Sequence, residues 1–244
     1  MAKVSKVIKK IEKFAPLETQ QNWDNSGWQI NLNNKETHKI LLALDVTQNT
    51  VKEAIKNECD LILSHHPVFF SPIKIIDKPF VIDAIQNNIQ IYSAHTNLDI
   101  APGGVSEYLA QKCGFKDLDT AFEFIKYLKF SEEKDFSELI SRLKEIFNIP
   151  NIRVVNSKRK TFHSIAFCSG SGAEFIHDLE NIGIDVFITG DLKHHQALNS
   201  EKMTIIDLGH FQSEKFVVEI FENILKDEDV ELIRASEKPA WELI

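Results

Sequence analysis

The sequence predicts an α/β fold in which helices pack on a mostly parallel or mixed sheet. Two observations support this prediction. Apolar runs of strand length alternate along the chain with segments whose apolar residues recur at helical spacing. The two halves of the chain also repeat one order of strands, helices and histidines. The sequence therefore predicts two structurally repeated lobes, at residues 1–120 and 121–244.

The first half opens with an amphipathic helix, because Val4, Ile8 and Ile11 recur at helical spacing and Pro16 ends the pattern. An irregular stretch, 23–28, comes next. The elements predicted after it are a strand at 39–46, a helix at 51–56, a strand at 61–63, a helix at 80–86, a strand at 89–94 and a helix that runs through 109. These strands are continuous apolar runs, which is typical of strands buried on both faces.

The second half continues the alternation of strands and helices. Its predicted elements are a strand at 122–130, a helix at 136–147, strands at 152–155 and 162–168 joined by a turn at 157–160, a helix at 173–181, strands at 185–189 and 203–208, a helix at 212–225 and a strand at 230–233. No linker rich in proline, glycine or serine separates the halves, so the two lobes must pack closely or interleave.

Histidines follow corresponding strands in the two halves. A pair of histidines comes after the strand at 61–63 in the first half and after the strand at 185–189 in the second, namely His65-His66 and His194-His195. A single histidine follows the next strand of each half, with a carboxylate four residues later: His95 with Asp99, and His210 with Glu214. Because sites in such sheets form at the carboxyl ends of strands, a duplicated fold can bring both sets to one cleft.

The composition is ordinary for a globular protein and argues against several classes of function. The 244 residues have a net charge of −8, which disfavours a general nucleic-acid-binding or acidic-membrane-binding surface. No stretch approaches the roughly 20 apolar residues of a membrane span. Cys59, Cys113 and Cys168 lie far apart without a Cys-x-x-Cys pair. We therefore expect reduced core thiols and a cytoplasmic protein.

Imidazoles and carboxylates together are the ligand set of Zn, Mn, Fe, Co or Ni. No thiolate is near the histidines in sequence, which argues against a closed structural zinc site. Adjacent residues of an extended segment point to opposite sides, so His65 and His66 can serve two ions. His210 and Glu214 are spaced for one helical face, so Glu214 can bridge both ions. With Asp99 these residues make five ligands for two divalent ions, which leaves positions for water or substrate as in a catalytic site.

Other residues allow two interpretations. His95 is either a general acid or base, or a residue that orients the loop after it. His194 and His195 either line the cleft or cap the sheet. The turn at 170–172, Gly-Ser-Gly, either cradles a phosphate or is a tight strand-to-helix connection. The segment 23–25, Trp-Asp-Asn, either lines the pocket or packs on the first helix.

Several of these motifs together resemble those of the GTP cyclohydrolase 1 type 2 homologues, also called the NIF-three-like family. The motifs that carry the resemblance occur in the family's order and span nearly the whole chain. They are Trp23-Asp24-Asn25-Ser26-Gly27, Ser64-His65-His66-Pro67, His95-Thr96-Asn97-Leu98-Asp99, Gly170-Ser171-Gly172, Thr189-Gly190-Asp191 with His195, and Gly209-His210 with Glu214. One departure concerns the local turn after Trp28, where Gln29-Ile30-Asn31 replaces the family's glycine-containing ending.

The resemblance implies intertwined, structurally repeated αβ lobes with mixed sheets and a dinuclear metal site between them. It also implies a toroidal homohexamer. Some members carry an extra domain inserted in the middle of the chain, and this chain is too short to contain it. The family's five metal ligands fall on the same positions as the chemical prediction: His65, His66, Asp99, His210 and Glu214.

We therefore expect a protein that binds two divalent cations per subunit, with Zn, Mn, Fe or Ni as candidates. The leading hypothesis is a metal-dependent hydrolase, cyclohydrolase-like or phosphoesterase-like, that acts on a nucleotide-like or other small substrate with His95 as the catalytic proton-transfer group. The first alternative is a non-catalytic protein that stores or delivers metal. The second is an oligomeric scaffold that binds protein partners. Metal content and turnover together discriminate these functions.

Overall fold

A computed structural model describes residues 1–241 of the chain. Its helices are α1 (Val4–Phe14), α2 (Gln48–Lys56), α3 (Pro79–Gln86), α4 (Thr96–Ile100), α5 (Val105–Lys112), α6 (Phe136–Phe147), α7 (Ile176–Asn181), α8 (His194–Leu198), α9 (His210–Glu214) and α10 (Val217–Leu225). Its strands are β1 (Ala2–Lys3), β2 (Gly27–Ile30), β3 (Glu36–Thr37), β4 (Lys39–Ala43), β5 (Leu61–Ser64), β6 (Gln90–Ser93), β7 (Asp119–Phe122), β8 (Ile125–Asp135), β9 (Arg153–Val155), β10 (Thr161–Phe167), β11 (Val186–Thr189), β12 (Thr204–Asp207) and β13 (Glu231–Arg234). Among the described residues, no helix is both long and apolar enough to cross a membrane.

The chain divides into two units. The first comprises Met1–Gly104 and Val217–Lys238, and the second comprises Val105–Phe216 with residues 239–241 of the described chain. This division differs from a split at residue 120, because α5 belongs to the second unit while α10 and β13 return to the first.

The first unit contains a five-stranded sheet in the order β13-β4-β5-β6-β2. Its four neighbours β13, β4, β5 and β6 are parallel, and β2 is antiparallel at the edge. Alternate residues of β4 point to opposite faces, so Leu41 and Ala43 join one buried cluster with residues of α2 and α3. Helix α10 packs against β4 and α1 packs against α10. The parallel strands are thus nearly continuous in apolar residues because the sheet is covered by helices.

The second unit contains a six-stranded sheet in the order β7-β8-β10-β11-β12-β9. Strands β10, β11 and β12 are parallel, and the other three are antiparallel to their neighbours. Buried clusters cover both faces: Ile165 and Phe167 of β10 belong to one, and Ala166 to the other. Both units therefore contain three consecutive parallel strands with an antiparallel strand beside the third, which confirms the mixed α/β fold that the alternating pattern predicted.

Several predicted elements differ from the structure. The strand expected at 122–130 is a hairpin, because β7 ends at Phe122 and β8 begins at Ile125. The helix expected at 212–225 is two helices, α9 and α10, separated at residues 215–216. The stretch at 23–28, expected to be irregular, ends in the edge strand β2, a short strand with only two apolar side chains, Trp28 and Ile30, and thus no apolar run that would predict it.

All three cysteines are buried thiols of the apolar clusters. Burial raises the pKa of the Cys59 thiol to about 11 and that of the Cys113 thiol to about 12. A thiol with a raised pKa holds its proton at neutral pH and is a poor nucleophile. The cysteines, Cys168 among them, therefore have the core positions that the sequence predicted for them.

Candidate metal centre

His65 and His66 lie at the carboxyl end of the buried strand β5. The backbone pairing with β4 continues past the strand, because the His65 amide donates to the Ala43 carbonyl and the His66 amide to the Leu44 carbonyl. The side chain of His65 is fully buried, and its Nδ1 lies 2.8 Å from the Ala94 carbonyl oxygen. A carbonyl oxygen only accepts hydrogen bonds, so Nδ1 carries a proton, and in the neutral ring Nε2 is then the nitrogen with the lone pair.

An aspartate orients His66 in a similar way. Nδ1 of His66 lies 2.8 Å from Oδ1 of Asp45, a residue just beyond the end of β4. An ionised carboxylate accepts hydrogen bonds only, so this contact also places the proton on Nδ1. A histidine that ligates a metal through Nε2 commonly donates its other nitrogen to a carboxylate or a carbonyl. His65 and His66 each have one of these two partners.

His95 stands at the start of α4, with its Nδ1 2.8 Å from Oδ1 of Asp24. The other oxygen of Asp24 accepts from the amide of Thr96 at 3.0 Å and from its hydroxyl at 2.5 Å. Burial alone would raise the pKa of the Asp24 carboxyl, but the hydrogen bonds from His95 and Thr96 hold this pKa well below its usual range. Asp24 is therefore an ionised carboxylate that orients His95.

The three histidines lie together in the first unit. One ring nitrogen from each of His65, His66 and His95 lies within 4.8 Å of the others, a spacing suited to a single cation. The buried Asp99, in the first turn of α4, has Oδ1 3.6 Å from Nε2 of His65. The structure thus brings four of the predicted residues of this unit to one place, with His95 directly beside the predicted ligands His65 and His66.

In the second unit, His210 and Glu214 are the first and last residues of α9, a single-turn helix. The helical spacing puts Nε2 of His210 2.9 Å from Oε2 of Glu214. Nδ1 of His210 lies 2.8 Å from Oδ2 of Asp191, so this histidine also has a carboxylate partner. Glu214 is buried, whereas His210 is partly exposed.

The glycine turn at 170–172 is a tight connection that packs beside Glu214. A Cβ atom added to Gly170 would lie 2.3 Å from Oε1 of Glu214, and Gly170 has a φ of +63°. The amide of Gly170 donates to the Ser213 hydroxyl and the amide of Gly172 to the Thr189 hydroxyl. These amides bond within the protein, so the structure favours the tight turn over the phosphate cradle.

His194 and His195 begin α8 and are exposed. Neither belongs to a group of neighbouring metal-binding side chains within residues 1–241. The interpretation that they line the site therefore receives no support from the described part of the chain.

Sequence reasoning missed the three aspartates that orient the histidines. Asp24 and Asp191 lie within motifs that the sequence pointed out, but without a role. Asp45 was not noticed at all, although it follows directly after a buried strand and residues at strand ends are candidates by position. A carboxylate just beyond an apolar run is the signal that would find Asp45 and Asp191, whereas Asp24 follows a polar stretch and has no such signal.

The chain is similar to known proteins in sequence and in fold. The sequence matches the Duf34/NIF3 (NGG1p interacting factor 3) family over residues 2–239. It is 33% identical to a GTP cyclohydrolase 1 type 2 homolog of Clostridium perfringens, over 99% of this chain and 100% of that protein. A homolog of the same name from Campylobacter jejuni is also 33% identical, over 95% of each chain.

Solved structures share the fold. The hypothetical protein SA1388 of Staphylococcus aureus superposes with a TM-score of 0.90 at 23% identity, over 99% of both chains. Reduced HcgD of Methanocaldococcus jannaschii superposes with a TM-score of 0.86 at 28% identity, over 97% of this chain and 98% of that one. Fold, motifs and full-length similarity together establish that this chain belongs to the Duf34/NIF3 family.

Proposed function

We propose that this protein binds two divalent metal ions through His65, His66, Asp99, His210 and Glu214. The observation that supports the proposal most is the set of partners on the histidine Nδ1 atoms. Asp45, Asp191 and the Ala94 carbonyl each lie 2.8 Å from one of them. A partner on Nδ1 fixes the tautomer and ring orientation in which Nε2 ligates a metal.

The donor set fits a divalent transition metal. It combines imidazole nitrogens with the carboxylates of Asp99 and Glu214, which are both buried. A buried carboxylate is costly unless a positive charge or several hydrogen bonds compensate it, and a divalent cation supplies that charge. Imidazole and carboxylate ligands without thiolates suit Zn, Mn, Fe or Ni.

We further propose that the site hydrolyses a small, nucleotide-like substrate. Bound divalent ions polarise carbonyl or phosphoryl oxygens and lower the pKa of water. His95 is the candidate proton-transfer group, because the ionised Asp24 holds its ring in one orientation beside His65 and His66. The relatives' printed name, GTP cyclohydrolase 1 type 2 homolog, is the reason for preferring a nucleotide-like substrate.

The assembly and location are also part of the proposal. A toroidal homohexamer follows from the family resemblance, and light scattering on the purified protein measures its mass directly. A cytoplasmic location agrees with three buried cysteines that are thiols rather than disulfides.

The deciding experiment combines metal analysis with a hydrolysis screen. Protein purified from its native host is analysed for metal content, then assayed with Mn, Zn, Fe or Ni against nucleotides, phosphoesters and cyclic amides. Turnover that is lost in Asp99→Ala and Glu214→Ala, with metal content reduced and folding retained, supports a hydrolase. Bound metal without turnover of any of these classes contradicts the hydrolase, and transfer of that metal to an apo-acceptor would identify a delivery protein instead.

A further inference from the structure

Two exposed aromatic side chains lie beside His95 in the first unit. Trp23 is 60% exposed and Phe70 is 48% exposed, although both are large and apolar. Their rings are 6.5 Å apart between centroids and only 29° from parallel. The His95 ring meets both of them edge-on, with its centroid 5.8 Å from that of Trp23 and 5.6 Å from that of Phe70. We call Trp23 and Phe70 the aromatic shelf.

Hydrogen bonds hold the two segments of the shelf together. The Asn25 side-chain amide donates to the Phe69 carbonyl at 2.6 Å. The Gln29 side chain bonds to both segments, because its oxygen accepts from the Phe69 amide at 3.2 Å and its nitrogen donates to the Asn25 carbonyl at 2.6 Å. Asp24, next to Trp23, is anchored by His95 and Thr96. The shelf is therefore a preformed surface, and Gln29 has a role at the position where the chain departs from the family's turn.

We propose that the aromatic shelf binds the flat face of a planar nitrogen heterocycle, such as a purine, and holds it beside His95. This inference rests on the proposed function, in that it names the substrate class of the same site. Exposed aromatic rings stack on heterocyclic bases with little dependence on their substituents. Orientation comes from a neighbouring polar group, and His95, fixed by Asp24, is such a group.

The size of the shelf favours a small molecule over a protein partner. Two side chains cover one heterocycle, whereas a stable protein interface buries about 800 Å² on each partner. The isoleucines of the following segment, such as Ile75, are exposed but present no aromatic face. They therefore provide a matched control for general apolar binding.

The test uses 2-aminopurine riboside, whose fluorescence is quenched when its base stacks on an aromatic ring. Wild-type protein should quench it saturably, and excess guanosine but not ribose should displace it. Trp23→Leu keeps an apolar side chain and removes the large aromatic face, so the dissociation constant should rise about tenfold or more. Trp23→Phe should recover most of the affinity, and Ile75→Ala should bind as the wild type does.

Positioning by Gln29 has its own signature. Gln29→Ala removes the bonds to both segments and should weaken binding several-fold, while Gln29→Glu keeps the acceptor for the Phe69 amide and should restore part of it. If Gln29 had a purely structural role, Gln29→Ala and Gln29→Glu would lose thermal stability to the same extent and would bind the probe with the same affinity.

Three results would overturn the shelf as a ligand site. They are absence of saturable quenching by the wild type, unchanged affinity in Trp23→Leu, or an equal loss in Ile75→Ala. A second copy of this chain is the other candidate to contact the shelf, and light scattering tests it. If Trp23→Leu and Phe70→Leu dissociate the assembly while their affinity for the probe is unchanged, the shelf is a subunit contact. Metal analysis of the same samples distinguishes failure of the proposed metal function from failure of the shelf as a ligand site. Wild-type protein that contains no metal but binds the probe contradicts the metal function and still supports the ligand site.

Discussion

The side chains of His210 and Asp191 are hydrogen-bonded, with Nδ1 of the histidine 2.8 Å from Oδ2 of the aspartate. Asp191 has a φ of +52°, in the left-handed region, so the loop after β11 adopts an uncommon backbone conformation at the residue that makes this contact. Asparagine and glycine both tolerate that conformation. This tolerance allows the aspartate charge to be removed without straining the backbone.

We expect Asp191→Gly to lower metal affinity about 10- to 100-fold while leaving the fold intact, because loss of a carboxylate partner frees the histidine ring to rotate. Competitive titration with a chelating metal indicator measures the affinity. Asp178→Ala, at an exposed aspartate of α7, is the control and should have no effect. Wild-type affinity in Asp191→Gly would show that the pair does not prepare His210 for a metal.

Gly170→Ala should impair the centre through Glu214. The new Cβ would lie 2.3 Å from Glu214 Oε1, so the carboxylate must move. Gly183 provides a matched control, because it also has a positive φ, +75°, yet a Cβ there meets nothing within 4 Å. Both variants should lose about 1–2 kcal/mol of stability from backbone strain. Only Gly170→Ala should also lose metal affinity, and equal metal affinities in the two would contradict the role assigned to the close approach.

Metal should stabilise the protein against heat. A ligand that binds only the folded state at 100 times its dissociation constant adds about 2.7 kcal/mol. Scanning calorimetry with and without chelator should therefore show a rise in Tm on metal addition that is lost in His66→Ala and Glu214→Gln. His163→Ala changes an exposed histidine near Glu133 and should retain the full shift. A shift that survives in both site variants would place the metal elsewhere.

The hydrogen bonds of Glu180 lead us to expect a loss in the free energy of unfolding at acid pH that does not depend on bound metal. Its Oε1 accepts hydrogen bonds at 3.0 Å from the Ser200 hydroxyl and from three consecutive amides, 201–203. Burial alone would raise the pKa of the Glu180 carboxyl, but these bonds lower it below the model-peptide value of 4.5. The depressed pKa contributes stability that is present above about pH 4.5 and lost as the pH falls through the folded-state pKa.

Glu180→Gln should therefore be about 1–2 kcal/mol less stable than wild type at pH 7, and the difference should shrink as the pH is lowered below 4.5. Urea unfolding at several pH values measures the difference. Glu174→Gln, at an exposed position of the same unit, should show no such convergence. A difference between Glu180→Gln and wild type that stays constant down to pH 3 would mean that these bonds do not depend on the charge.

Local sequence pattern was enough to predict which residues form part of the candidate metal centre. His65 and His66 were identifiable because a buried strand must end where the apolar run ends, and His210 with Glu214 because the spacing of four fits a helix. The partners of the histidines come from other loops. Asp45 reaches His66 only because β4 and β5 pair in the observed register, which no local pattern specifies.

Strands at the edges of the two sheets were also hard to predict, because local sequence pattern does not specify which strands pair. Strand β2 carries Gln29 and has few apolar residues, so periodicity did not reveal it. It is a strand because its backbone pairs with β6. The hairpin of β7 and β8 was also missed, because the turn residues Glu123 and Phe124 lie between Phe122 and Ile125 and include no glycine or proline, the residues that usually mark a turn.

The return of α10 and β13 to the first unit sets an order in which the protein is completed during synthesis. Strand β13 pairs with β4, so one side of β4 lacks its neighbour until residues 231–234 have left the ribosome. The continuous stretch of the second unit, 105–216, has been made by then. The unit translated first thus completes its sheet only after this stretch of the second unit has been made, and until then its nascent sheet has an unpaired edge that a chaperone can protect from aggregation.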